Sequence, residues 1–246
     1  MNTPESGLHR TIAVTIHPDQ ARALVQDDFH HFRLAIHHDG THITGVSSEA
    51  VRFPYSLCPQ SRSALDDLIG LPLTSRIFDI SGTINARHQC THQFDLAALT
   101  VAAAARGKDR RYTLFVTDPT EDDHCEAHLT RDDGFSLHWS IAGRVITAPA
   151  AFAGITVDHG FTPWAAGLAD EDLAEAALVL RRAHFVLGGR AMLEELNERH
   201  IAPSRGSCYV MQPGRSGHAT RIPTPHRDGT QPFPSASGDR EWLEGH

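Results

Sequence analysis

Ile12, Val14 and Ile16 alternate with polar residues, which predicts a short strand ended by His17-Pro18-Asp19. Phe32, Leu34 and Ile36 predict a second strand, and Asp39-Gly40 after it is a two-residue hairpin signal. With that turn, His38 pairs with Thr41, His37 with His42 and Ile36 with Ile43, which opens the returning strand. Val51, Phe53 and Tyr55 form another alternating run. Pro59 suits the first position of a helix, with Ala64, Leu65, Leu68 and Ile69 as its apolar stripe and Gly70 and Pro72 as its end. A loop of about ten to fifteen residues follows, long enough to suspect a function. A second helix is expected from about Thr91 to Arg106, rich in alanine and leucine.

Gly107 to Arg111 is polar and reads as a boundary, beyond which strands dominate. Tyr112, Leu114 and Val116 alternate, as do Cys125, Ala127 and Leu129. Asp132-Asp133-Gly134 turns the chain back into Phe135, Leu137, Trp139 and Ile141, and Arg144 to Thr147 adds a further candidate strand. Asp170 caps a long helix bearing Leu173, Ala176, Ala177, Leu180 and Leu187. Gly188-Gly189 stops it, and Ala191 to Arg199 forms a shorter helix. Proline, glycine and serine crowd the stretch from Pro213 onward, which predicts little order there. The expectation is an α/β (α+β) chain in three parts. Residues 9–108 form a small antiparallel sheet with two helices, 109–212 a β-rich segment with a long helix packed on it, and 213–246 a mostly disordered tail.

Composition narrows the function classes. Twenty-two basic against 30 acidic residues give a formal charge of −8. Nucleic-acid and anionic-membrane binding need basic surface, so neither is expected. Lys108 is the only lysine, so Schiff-base chemistry would rest on that residue alone. No apolar run approaches the roughly 18 residues of a membrane span, and Met1 to Arg10 lacks a signal-peptide core. Four cysteines do not suggest a disulfide-stapled secreted scaffold. The chain reads as a cytoplasmic protein of bacterial type, with homo-oligomerisation left open. No Walker loop, GxGxxG after a strand, GxSxG or HExxH occurs.

Eighteen histidines are the compositional oddity, and nine fall between His9 and His92. Side chains alternate across a strand, so His31, Arg33, His37 and His42 are expected on the solvent face of the first hairpin. His30, with Asp28 before it, shares the inner face with Phe32 and is aimed toward a core or cleft.

Cys58 and Cys90 each stand just before a predicted helix. A helix N-terminus offers free N–H groups and positive partial charge, which favour thiolate, the form that binds metals and attacks electrophiles. Cys90-x-His92-x-x-Asp95 can present sulfur, imidazole and carboxylate near one helix start. With Cys58 these make a four-ligand set suited to zinc or iron. The plain alternative is two small buried hydrophobes and a carboxylate placed for the helix dipole. His88 and His124 are outside candidates, Cys125 alternates with core residues, and Cys208 lies in a short extended segment. Arg181-Arg182 and Gly188-Gly189-Arg190 could hold an anion, though cations at a helix C-terminus before a glycine stop are the simpler reading.

Taken together, Asp28-Phe29-His30, Arg52-Phe53-Pro54-Tyr55, Cys58-Pro59, Gly70, Cys90-Thr91-His92 and Asp95-Leu96 resemble an uncharacterised bacterial family known only as a domain of unknown function. Leu180-Arg181-Arg182, Gly188-Gly189-Arg190 and Gly206-Ser207-Cys208-Tyr209 extend the resemblance, which covers roughly Arg10 to Arg221. A second resemblance, over about 30–106, is to the iron–sulfur assembly scaffold fold. In those proteins cysteines and an aspartate hold zinc or a [2Fe–2S] cluster, and Cys58 and Cys90 match cysteine positions. The scaffold's aspartate–glycine–cysteine element is absent here, and His92 follows Cys90 where the scaffold's histidine precedes its last cysteine.

The expected function is therefore metal binding, zinc or iron rather than an iron–sulfur cluster, with Cys58, Cys90, His92 and Asp95 as ligands. His30 would act as a fifth ligand or general base and Arg52 would hold an anionic group. If catalytic, the site would serve a hydrolase or lyase acting on a small organic acid or thioester. The alternatives are a metal-free cysteine/histidine enzyme and a non-catalytic module that binds a small ligand or metal.

Overall fold

The computed structural model describes residues 5–204, 206 and 208–245; Ser207 of the Gly206-Ser207-Cys208-Tyr209 motif lies outside the described residues. Eight strands form an antiparallel sheet in the order β4-β3-β2-β1-β5-β6-β7-β8. They are β1 (Gly7–Ile16), β2 (Gln20–Gln26), β3 (His31–His38), β4 (Ile43–Arg52), β5 (Arg110–Thr117), β6 (His124–Arg131), β7 (Ser136–Ala142) and β8 (Val145–Ala148). The helices are α1 (Ile77–Thr83), α2 (Thr91–Arg106), α3 (Phe161–Ala166), α4 (Glu171–Ala191), α5 (Leu193–Glu198) and α6 (Asp239–Glu244). The mixed class, the antiparallel sheet and the long helix are as expected.

Contacts divide the chain into two units, a larger one of residues 12–111, 194–225 and 234–246 and a smaller one of 1–11, 112–193 and 226–233. The bounds expected at 9–108, 109–212 and 213–246 cut across these units, because segments remote in sequence return to each. Residues 213–245, expected to lack order, include α6, which packs on β2.

In the larger unit β2, β3 and β4 pair antiparallel, and α2 packs on β2 and β3. Cross-strand partners Val25 and Phe32, Ala23 and Leu34, and Ala21 and Ile36 are fully buried. Leu96, Ala97, Val101, Ala102 and Ala103 of α2 are buried too; small side chains let a helix lie close to a sheet. Gly107, in the left-handed region at φ 62°, ends α2. Strand β2 was not foreseen, since Gln20–Gln26 shows no clean alternation.

Several local expectations are corrected. The Asp39-Gly40 turn exists, but the Asp39 N–H donates to the carbonyl of His42, which lengthens the loop. His38 consequently faces Ile43 and His37 faces Gly45. Cys58–Leu68 is a 3-10 helix rather than an α-helix, burying Cys58, Ser61, Leu65 and Leu68. The expected loop beyond Pro72 contains α1. Helix α4 runs through Gly188-Gly189 to Ala191.

The largest correction concerns the supposed solvent face of β3. His31 is 1% exposed and Arg33 is 9% exposed, because α6 brings Asp239 onto them. His37 is half-buried, and only His42 of that set is exposed.

In the smaller unit β5 to β8 pair antiparallel, and α4 packs on β6 and β7. Leu129, Trp139 and Ile141 are buried. Asp170 caps α4 by accepting from the N–H of Leu173 at 3.0 Å. Arg181 donates to the carbonyls of Val157 and Asp158, and Arg190 donates to the Asp118 carboxylate at 3.0 Å. Both arginines thus tie chain segments together.

Candidate functional site

The four residues between β2 and β3, Asp27-Asp28-Phe29-His30, build the candidate site. The N–H of Asp27 donates to the carbonyl of His30 at 2.8 Å and closes the hairpin. The Asp27 side chain then folds over its own loop, an Asx-type turn: its Oδ1 accepts from the N–H groups of Phe29 and His30, both at 2.9 Å. The same oxygen lies 3.0 Å from Nδ1 of His30. Asp27 is fully buried. Taking a carboxylate out of water is costly, so it needs cations or several donors nearby.

Helix α2 supplies the third member. His92 stands in its first turn, buried, and its ring stacks on His30 with centroids 3.6 Å apart and 21° between planes. His30 also stacks on Phe32 at 5.9 Å, so it has the inward orientation expected from the strand pattern. One ligand atom from each of Asp27, His30 and His92 lies within 4.8 Å of the other two.

Arg52, at the end of β4, reaches the same loop. Its Nη2 donates to the backbone carbonyl of Asp27 and, at 3.4 Å, to that of His30. The guanidinium therefore braces the loop that carries both side chains.

The expected ligand set is distributed differently. His92 joins Asp27 and His30, while Asp95, one turn further along α2, lies outside that group. The Cys90 thiol is hydrogen-bonded to Cys208, and Cys58 is near enough to Cys90 for charge on one thiol to disfavour charge on the other. The surroundings of both thiols favour the protonated form. Burial pushes Cys58 up to about 12, with Cys90 adding to the effect. The hydrogen bond to Cys208 and burial push Cys90 well above its ordinary value. The N–H groups of Gln93 and His92 at the start of α2 act in the opposite direction, as the helix-terminus argument requires, but are outweighed. Cys125, likewise buried, is pushed up to about 11.

Asp27 was not anticipated. Recognising β2 would have made 27–30 a tight hairpin loop, in which an Asp two residues before an N–H is the usual Asx-turn signal. A separate cleft of about 650 Å³ is lined by Ser63, Ala64, His88, Tyr209, Gln212 and Arg215, among others. The Arg215 guanidinium lies 3.8 Å above the Tyr209 ring.

Residues 9–106 match the model of a family described as protein of unknown function (DUF2889). That stretch is similar to an uncharacterised family, and it contains Asp27, His30, Arg52, Cys58, Cys90, His92 and Asp95. No curated protein matches the chain, and no solved structure does.

Proposed function

We propose that this protein binds one zinc or iron ion through Asp27, His30 and His92. The observation that carries the reading is a fully buried carboxylate grouped with two imidazoles from separate elements. Two histidines and one carboxylate are a donor set used by non-haem iron and by catalytic zinc, and three protein ligands leave positions open. Ligand atoms on one zinc stand roughly 3–4 Å apart, and the 3.0 Å between Asp27 Oδ1 and His30 Nδ1 suits that spacing. A bound ion supplies Lewis acidity to a carbonyl or to water, which fits a hydrolase or lyase acting on a small organic acid or thioester. Within the chain, Arg52 fixes the loop that holds Asp27 and His30. The cleft beside Tyr209 has the size usual for small-molecule sites.

A metal-free reading is favoured by one contact. The Asp27–His30 bond is also how a carboxylate orients an imidazole as general base. The four cysteines form no disulfide among the described residues, in keeping with a reducing compartment such as the cytoplasm. Among the described residues, no helix is long and apolar enough to cross a membrane.

Metal analysis of the purified chain tests the proposal. One equivalent of zinc or iron should be lost in Asp27→Ala, His30→Ala and His92→Ala and kept in Cys58→Ser, Cys90→Ser and Asp95→Asn. Loss in the second group would restore the cysteine set. Metal-free protein that takes up neither ion would leave the metal-free reading.

A further inference from the structure

Strands β6 and β7 of the smaller unit have two unlike faces. Cys125, Ala127, Leu129, Leu137, Trp139 and Ile141 are buried on one. The other carries His124, Glu126 and His128 from β6 and His138 and Ser140 from β7. Register brings these together: His128 faces His138 directly, and Glu126 faces Ser140. The two rings stack at 4.2 Å with 9° between planes. Glu126 Oε2 lies 2.6 Å from Nε2 of His138, and its Oε1 lies 3.6 Å from Nε2 of His124. One ligand atom from each of Glu126, His128 and His138 lies within 4.8 Å of the others.

We infer that this open sheet face is a second metal site, which takes a borderline divalent cation, zinc above all, on Glu126, His128 and His138. The chemistry supports the choice, since two imidazoles and one carboxylate are a zinc donor set. Two donors come from positions i and i+2 of one strand and the third from the facing residue of its neighbour, so the backbone fixes their separation before any ion arrives. A hydroxyl holds the carboxylate in place: Ser140 Oγ donates to Glu126 Oε2 at 2.8 Å, and such partners orient ligands in metal sites. His124, two residues before Glu126 on the same face, reaches only the other carboxylate oxygen of Glu126 and lies outside the three-donor group.

The site lies outside residues 9–106 and shares no residue with the Asp27 group, so the two proposals stand or fall separately. The test is titration of metal-stripped full-length protein with Zn²⁺ alone, in wild type, His128→Ala, His138→Ala and Glu126→Gln, each also in a His92→Ala background. In that background one equivalent should bind, and it should be lost in the two histidine variants and weakened at least tenfold in Glu126→Gln. Cu²⁺ in the same background should give a paramagnetic resonance spectrum with two nitrogen ligands, one of which disappears in His138→Ala. His128 and His138 are exposed and outside the core, and melting curves close to wild type verify folding. Unchanged binding in His128→Ala or His138→Ala overturns the proposal. So does zinc that saturates the face only at millimolar concentration, which marks an adventitious ion only.

Discussion

Arg33 and Asp239, 206 positions apart, are joined by two hydrogen bonds from one guanidinium to a single carboxylate oxygen, at 3.0 and 2.9 Å. His31 Nε2 lies 2.9 Å from the same oxygen. The second carboxylate oxygen accepts from the N–H of Ala236 at 2.9 Å, so the segment before α6 is locked by the same side chain. Breaking a buried pair from one side leaves the other charge in a dry environment. Asp239→Ala should therefore destabilise the larger unit by about 3 kcal/mol, read from chemical denaturation, with Asp239→Asn costing less. A loss too small to measure would mean that the ion pair contributes nothing net.

His31 also makes stability depend on pH. Burial lowers its pKa below 6.5, with the charges of Arg52 and Arg33 adding to this and Asp239 opposing it. The unfolded chain then binds more protons than the folded one on the acid side of 6.5, and stability rises with pH wherever that holds. This contribution is complete above about pH 6.5 and is lost as the pH falls through the lower folded value. His184, lowered mainly by burial, acts with the same sign. Urea unfolding midpoints taken between pH 7.5 and 5 should fall on acidification, and the slope should be flatter in His31→Gln. Parallel slopes would remove His31 from the account.

The thiols should be inert in the folded protein. With Cys58 at about 12, the thiolate fraction at pH 8 is about one in ten thousand. Alkylation by iodoacetamide should label half-buried Cys208 first and leave Cys58 and Cys90 untouched until denaturant is added. Fast labelling of Cys58 in the native state would instead reinstate it as a nucleophile.

How much of this is legible in the sequence follows from how far each cause reaches. Alternation in β5, β6 and β7 is local and half-buried, so Leu114, Leu129 and Trp139 announce themselves. In β2, Leu24 and Gln26 are buried as well as Ala23 and Val25, and a strand covered on both faces loses its period. Four apolar residues from Ala64 to Ile69 fit a 3-10 helix as well as an α-helix. His31 and Arg33 read as surface because the residue that covers them is Asp239. The thiolate expectation at Cys90 had the right local force, two backbone N–H groups, but missed burial and Cys208, which prevail. His30 and His92 were both singled out from sequence. Their shared partner Asp27 was not, because its role depends on a hairpin whose first strand carries no period.

The order of synthesis gives the Arg33–Asp239 contact one more consequence. Asp27, His30 and His92 have all left the ribosome long before Asp239 is made. At usual rates, roughly 10–40 s separate the translation of Arg33 from that of its partner. During that interval the far face of β3 carries an uncovered guanidinium and imidazole, while Asp27, His30 and His92 are all present from the synthesis of α2 onward. On the proposed metal reading, a cation present during synthesis would meet these three side chains before the larger unit has closed.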